Sequence, residues 1–163
     1  MSVVMTNDQA AFVEAMAQHL YGRGMRRLNA RLWSWLLICE PPEQTAAELA
    51  DALDVSRGAI SGAVNDLAAA RLIQRRTRRG ERREEFSIPA GTVQRLISQM
   101  ATVLRQGREI ADEGLELLGD RPPPVRARLA ELRDVYAYYE TEWPKAVERY
   151  LKDRASDRTS LSA

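Results

Sequence analysis

The chain has 163 residues, of which 45% are apolar and 29% charged, and its net charge is +1. That length suits one compact domain or two small ones, and the composition is that of a globular rather than a disordered protein. The single cysteine, Cys39, excludes an intramolecular disulfide and a cysteine zinc cluster, and the single histidine, His19, argues against His-dependent metal sites and catalytic triads, so neither a metal nor another cofactor is expected.

Thr6 or Asn7 is placed to cap a first helix, because a short oxygen-bearing side chain accepts from free N–H groups of the first turn. Phe12, Val13, Met16, Ala17 and Leu20 then recur at helical spacing. A second helix is expected from about Met25 to Cys39, with Leu28, Leu32, Trp35 and Leu36 on one side. Glu40-Pro41-Pro42 stops it, since consecutive prolines cannot continue the hydrogen-bond ladder. The apolar run Leu36 to Cys39, with Trp33 and Trp35 before it, falls far short of the ~18 residues of a membrane span. The first residues carry no basic stretch ahead of an apolar block, so a signal peptide is not expected and the cytoplasm is the expected location.

Thr45-Ala46-Ala47-Glu48 has the pattern of a capping box and starts a short helix with Thr45 as its cap. Leu49, Ala50 and Leu53 are its inward residues. Asp54-Val55 makes a tight turn, and Ser56 caps the next helix, in which Ile60, Val64 and Leu67 point inward. Two short helices joined by such a turn form a helix-turn-helix. Leu72 to Thr77 reads as a strand, Arg78 to Glu81 as a glycine turn, and Arg82 to Ile88 as the return strand. A hairpin directly after a helix-turn-helix is a wing.

Two long helices follow. From Pro89 to Leu118 one seam reads Val93, Ile97, Met100, Leu104, Gly107, Ala111, Gly114, Leu118, the alternation of four and three that marks helices packed along their length. Gly107 and Gly114 leave room in that seam for close helix approach. After Pro122-Pro123-Pro124 a second seam runs from Val125 to Tyr150, with Pro144 expected to kink it. The sequence therefore divides into supporting helices over 1–40, a winged helix-turn-helix over 41–88, long helices over 89–154 and a flexible polar tail over 155–163. The fold class expected is mainly α, with a small β-hairpin wing and a helical dimerisation region.

The chemistry lies in the outward face of the second short helix. Ser56, Arg57, Gly58, Ser61 and Asn65 are small or hydrogen-bonding, and no acid occurs before Asp66. A helix lying in a major groove needs that character: short side chains let the backbone approach, while Arg and Asn read base edges. The wing carries a charge surplus. Between Arg71 and Glu85 stand seven arginines and three glutamates, in a protein whose net charge is only +1. Arg75, Arg76, Arg78, Arg79, Arg82 and Arg83 are the candidate DNA contacts, because guanidinium donors match phosphate oxygens and enter a narrow minor groove. The aromatic residues Trp33, Trp35, Tyr136 and Trp143 are candidates for an effector pocket, including a cation–π cage, set against plain core packing. Cys39 follows an apolar run and has no second cysteine beside it, which favours an inert thiol over a redox sensor.

The stretch LLICEPPEQTAAELADALDVSRGAISGAVNDLAAARLIQRRTRRGERREEF, set between paired N-terminal helices and two long C-terminal helices, resembles the MarR superfamily, and within it the GbsR-type branch. The resemblance implies a sequence-specific, double-stranded-DNA-binding transcriptional regulator, more often a repressor, acting as a homodimer on a pseudo-palindromic operator under a small-molecule effector. It implies that the helix beginning at Ser56 enters the major groove and that Arg79-Gly80-Glu81-Arg82-Arg83 meets the minor groove or backbone. The first and the last two helices would form the dimer. The wing departs from the common pattern of an aspartate two residues before an arginine, having Glu81 before Arg83. The competing reading is a winged-helix docking module for an acidic protein partner; the acid-free helix face favours DNA. No nucleophile–base pair or phosphate loop supports an enzyme.

Overall fold

The computed structural model describes residues 5–77 and 83–160, with side chains through residue 154. The chain divides into two units, Met1–Thr92 and Val93–Ala163. The supporting helices and the winged segment both lie in the first.

In the first unit α1 (Asn7–Tyr21) and α2 (Arg27–Leu36) precede β1 (Gln44–Thr45), α3 (Ala46–Leu53), α4 (Arg57–Ala69), β2 (Gln74–Thr77) and β3 (Glu84–Ser87). The expected caps are in place. Thr6 Oγ1 accepts from Gln9 N, and Gln9 Oε1 accepts in return from Thr6 N, closing a capping box on α1. Thr45 and Glu48 close the same box on α3. Ser56 Oγ accepts from Ala59 N at 3.2 Å and starts α4. Between α3 and α4 Asp54 turns the chain in the left-handed conformation, φ 52°, which aspartate tolerates better than most residues.

α1 packs on α2, and α2 packs in turn on α3 and α4. Leu32, Trp35, Leu49, Leu53, Ile60, Leu67 and Phe86 are fully buried between them. Each such side chain contributes roughly 1.5–3 kcal/mol of burial free energy. The sheet is three-stranded and antiparallel in the order β1-β3-β2. β1 extends the expected hairpin by one short strand, pairing Gln44 with Phe86 and Thr45 with Glu85. Gln44 is completely buried and donates from Nε2 to Pro41 O at 2.8 Å.

Some boundaries differ from expectation for local reasons. α2 ends at Leu36 because Ile38 and Cys39 both turn back to Trp35 O. β2 starts at Gln74 rather than Leu72. Arg71, at φ 56°, and Leu72, whose N–H binds Leu67 O at 2.9 Å, are used in closing the end of α4. The long helix α5 (Thr92–Leu118) begins after Pro89, because Gly91 sits at φ 78°, outside the helical region.

The second unit consists of α5 from Val93 onward and α6 (Pro123–Ser160). Pro123 and Pro124 fall in the first turn of α6, where their missing N–H groups cost nothing. Pro144 lies inside α6, and the helix continues to Ser160, beyond the expected start of the tail. Gly107 and Gly114, expected to leave room for close helix approach, face the chain's own α6. A Cβ at 107 would lie 2.6 Å from Tyr136 Cζ, and one at 114 would lie 2.7 Å from Leu129 Cδ2. The missing side chains make room for these two residues. Arg108 bridges the helices, binding Glu140 and Asp112 at 2.6 Å each, and these carboxylates hold its guanidinium charged.

Candidate nucleic-acid interface

α4 buries Ile60, Ala63, Val64 and Leu67 and exposes the opposite side. Ser56, Arg57, Gly58, Ser61 and Asn65 are all exposed, so the five residues expected to read DNA share one open surface. Ser56 accepts as the cap of α4 and keeps its O–H as a donor. The backbone along this face is bare. A Cβ at Gly62 would meet nothing within 4 Å, and one at Gly58 would meet only Ser56 Oγ, at 3.9 Å. Neither glycine is required by packing inside the protein.

The acid at the edge of this face is neutralised. Asp66 Oδ2 accepts from Arg26 Nη1 at 3.0 Å and from Asn29 Nδ2 at 3.2 Å. Both partners come from the segment that opens α2. Sequence reasoning did not find this pair of contacts, because about 40 residues separate the partners and no local pattern marks them.

The wing is tied to α4 by Arg75. Its Nη2 donates to Asn65 Oδ1 at 2.7 Å, its Nη1 lies 3.5 Å from Glu84 Oε1, and its guanidinium carbon stands 5.6 Å from the centre of the Phe86 ring. Arg75 is an expected DNA contact, and its fork also ties β2 to α4 and β3. Arg76, facing Glu85 across the ladder, and Arg83 are exposed. Arg78, Arg79 and Arg82 lie outside the described residues.

Trp33 and Trp35 are buried in the first unit, with Trp33 Nε1 donating to Leu72 O at 3.3 Å. Tyr136 and Trp143 belong to the second. Tyr136 sits over Gly107, and Trp143 Nε1 donates to Ile97 O at 2.7 Å. Trp143 also lines an open apolar groove of about 170 Å³ with Ile97, Ala146, Val147 and Tyr150. Burial pushes the Cys39 thiol up to about 11, with smaller contributions from Glu43 and Glu48. It is a protonated, weakly reactive thiol at neutral pH. Among the described residues no helix is long and apolar enough to cross a membrane.

Residues 36–84 match the MarR family, and residues 91–153 match the MmpR5-like MarR family transcriptional regulators. The HTH-type transcriptional regulator MmpR5 of Mycobacterium tuberculosis is 35% identical over 150 residues, covering 92% of this chain and 91% of that protein. A crystal structure described as a transcriptional regulator is 36% identical, with a TM-score of 0.72 over 89% of this chain and 99% of that one. The exposed, acid-neutralised face of α4, the wing fastened beside it and these matches along both units lead to one conclusion: the chain is a DNA-binding transcriptional regulator and belongs to the MarR family, in its MmpR5-like group.

Proposed function

We propose that this regulator is a homodimeric, cytoplasmic repressor that sets two α4 helices into a pseudo-palindromic operator, under control of a small-molecule effector. The observation that carries the reading is the face of α4. Ser56, Arg57, Gly58, Ser61 and Asn65 are exposed together, and the neighbouring carboxylate of Asp66 is already bound. Short residues allow the backbone close to the base pairs, and Arg57 and Asn65 supply the donors and acceptors that distinguish them. Arg76 and Arg83, with Arg78, Arg79 and Arg82 between them in the sequence, are proposed to add phosphate and minor-groove contacts.

One recognition helix reads only a few base pairs. A two-fold dimer places two such helices about 34 Å apart on one side of the duplex. The second unit supports such an assembly. Along α5, Val103, Ile110 and Leu117 recur every seven residues, with Ile110 69% and Leu117 89% exposed. Along α6, Val125, Leu132 and Tyr139 do the same, each about half exposed. Apolar strips of that kind mark interaction surfaces. The effector is proposed to seat near Trp143, whose groove offers apolar lining. A finer placement in the GbsR-type branch rests on the sequence layout alone.

Selection of bound duplexes from a random DNA pool tests the proposal. The expected product is a consensus with two inverted half-sites one helical turn apart. A pool that stays unenriched, or an enriched site without two-fold symmetry, contradicts it.

A further inference from the structure

We propose that Arg26 is a phosphate-contacting residue of the DNA interface, contributed from outside the helix-turn-helix and the wing. The inference rests on the reading of α4 as the recognition helix.

Arg26 occupies the N-cap position of α2, yet its side chain caps nothing there. The guanidinium instead reaches across to α4, where Nη1 lies 3.0 Å from Asp66 Oδ2. The Arg26 side chain is 81% exposed. An ion pair so open to water adds little to the stability of the fold. Asp66 is also held by Asn29 without it. The contact engages Nη1, and a guanidinium carries five N–H donors in a planar fork suited to phosphate.

Position gives the pair its meaning. Asp66 follows Asn65 and lies about 100° further round the helix. Arg75 stands over Asn65 and Arg26 over Asp66, so the stripe of α4 that carries Gly58 and Gly62 has an arginine on either side. A helix in a major groove about 12 Å wide has a phosphate row on each side. Arg26 is placed to meet the row on the side away from the wing, while Asp66 fixes its position when no DNA is bound.

The competing role is simple neutralisation of Asp66, and a double-mutant cycle separates the two. Binding is measured by fluorescence anisotropy against a random-sequence duplex and a duplex selected from the pool, across a range of salt. Thermal melting checks that each variant folds. Arg26→Ala is expected to weaken both duplexes alike and to lower the slope of log affinity on log salt by about one. Over a fourfold rise in salt the wild type then loses roughly threefold more affinity than the variant. Asp66→Asn is expected to bind at least as tightly as wild type, and the double variant as weakly as Arg26→Ala alone. Arg26→Gln carries the same test should the alanine variant fold poorly. Wild-type binding and slope in Arg26→Ala, or their full recovery in the double variant, overturns the proposal while leaving the reading of α4 intact. Absence of salt-dependent duplex binding by the wild type overturns both.

Discussion

Arg75 donates from Nη2 to Asn65 Oδ1 at 2.7 Å, joining the first strand of the wing to the exposed face of α4. The same guanidinium lies beside Glu84 and Phe86 on the return strand. Arg75, proposed as a source of charge toward DNA, is therefore also a brace. A brace needs the planar fork, and lysine cannot supply it. Arg75→Lys is expected to leave the salt dependence of DNA binding unchanged, because the charge is kept. Affinity for the operator should fall about fivefold, the equivalent of about 1 kcal/mol for one hydrogen bond. Unchanged operator affinity with lysine in place would remove the bracing role of Arg75 from the account of binding.

Gly62 separates the demands of folding from those of binding. A methyl group there meets no protein atom within 4 Å. Glycine inside a helix costs about 1 kcal/mol relative to alanine, so Gly62→Ala is expected to raise the melting temperature. If the bare backbone is there for close approach to the base pairs, the same substitution weakens operator binding. Differential scanning calorimetry and a binding titration on one preparation decide. A more stable variant with unchanged affinity would remove Gly62 from the interface.

Cys39 is expected to be inert at neutral pH. Burial raises its thiol from 9.0 to about 11, which favours the protonated form in the folded state. The sign follows from linkage: the unfolded chain releases this proton near pH 9 and the folded chain near 11, so the contribution to stability is complete below pH 9 and declines between pH 9 and 11. Alkylation by iodoacetamide at pH 8 should be much slower in the native protein than in the denatured one. Equal rates would mean the thiol is not sheltered.

The legible parts of this molecule are those determined by neighbouring residues. Thr6, Thr45 and Ser56 cap their helices because a cap depends on groups two or three residues away. The inward set Ile60, Val64 and Leu67 follows from helical period alone. The start of α5 was misplaced because only the backbone reveals that Gly91 adopts a positive φ. β1 was missed because two residues have no period, and its existence depends on Phe86, about 40 positions away. Gly107 and Gly114 were legible as places for close contact, but a heptad pattern does not say which helix fills them; Tyr136 and Leu129 of the same chain do. For the site, the five residues on α4 were legible by face, whereas the bonds that fix Asn65 and Asp66 come from Arg75 and Arg26, outside that helix.

Assembly has its own test. Ile110 and Leu117 are exposed in the single chain, so replacing both with glutamate leaves the packing of the chain undisturbed. If these residues meet a second copy, the change puts carboxylates into an apolar interface, where an unpaired charge is costly. The double variant is expected to sediment as a folded monomer and to lose most of its operator affinity. A variant that remains dimeric would place the interface elsewhere.

Arg57, in the exposed first turn of α4, tests most directly whether α4 reads base pairs. The measurement is the affinity of wild type and Arg57→Ala for the selected operator and for a random duplex at one salt concentration. A bidentate contact to guanine predicts a loss of about 1–3 kcal/mol on the operator and a much smaller one on random DNA. Equal losses on the two duplexes would assign Arg57 to the phosphate backbone, and no loss on either would contradict the placement of α4 in the groove.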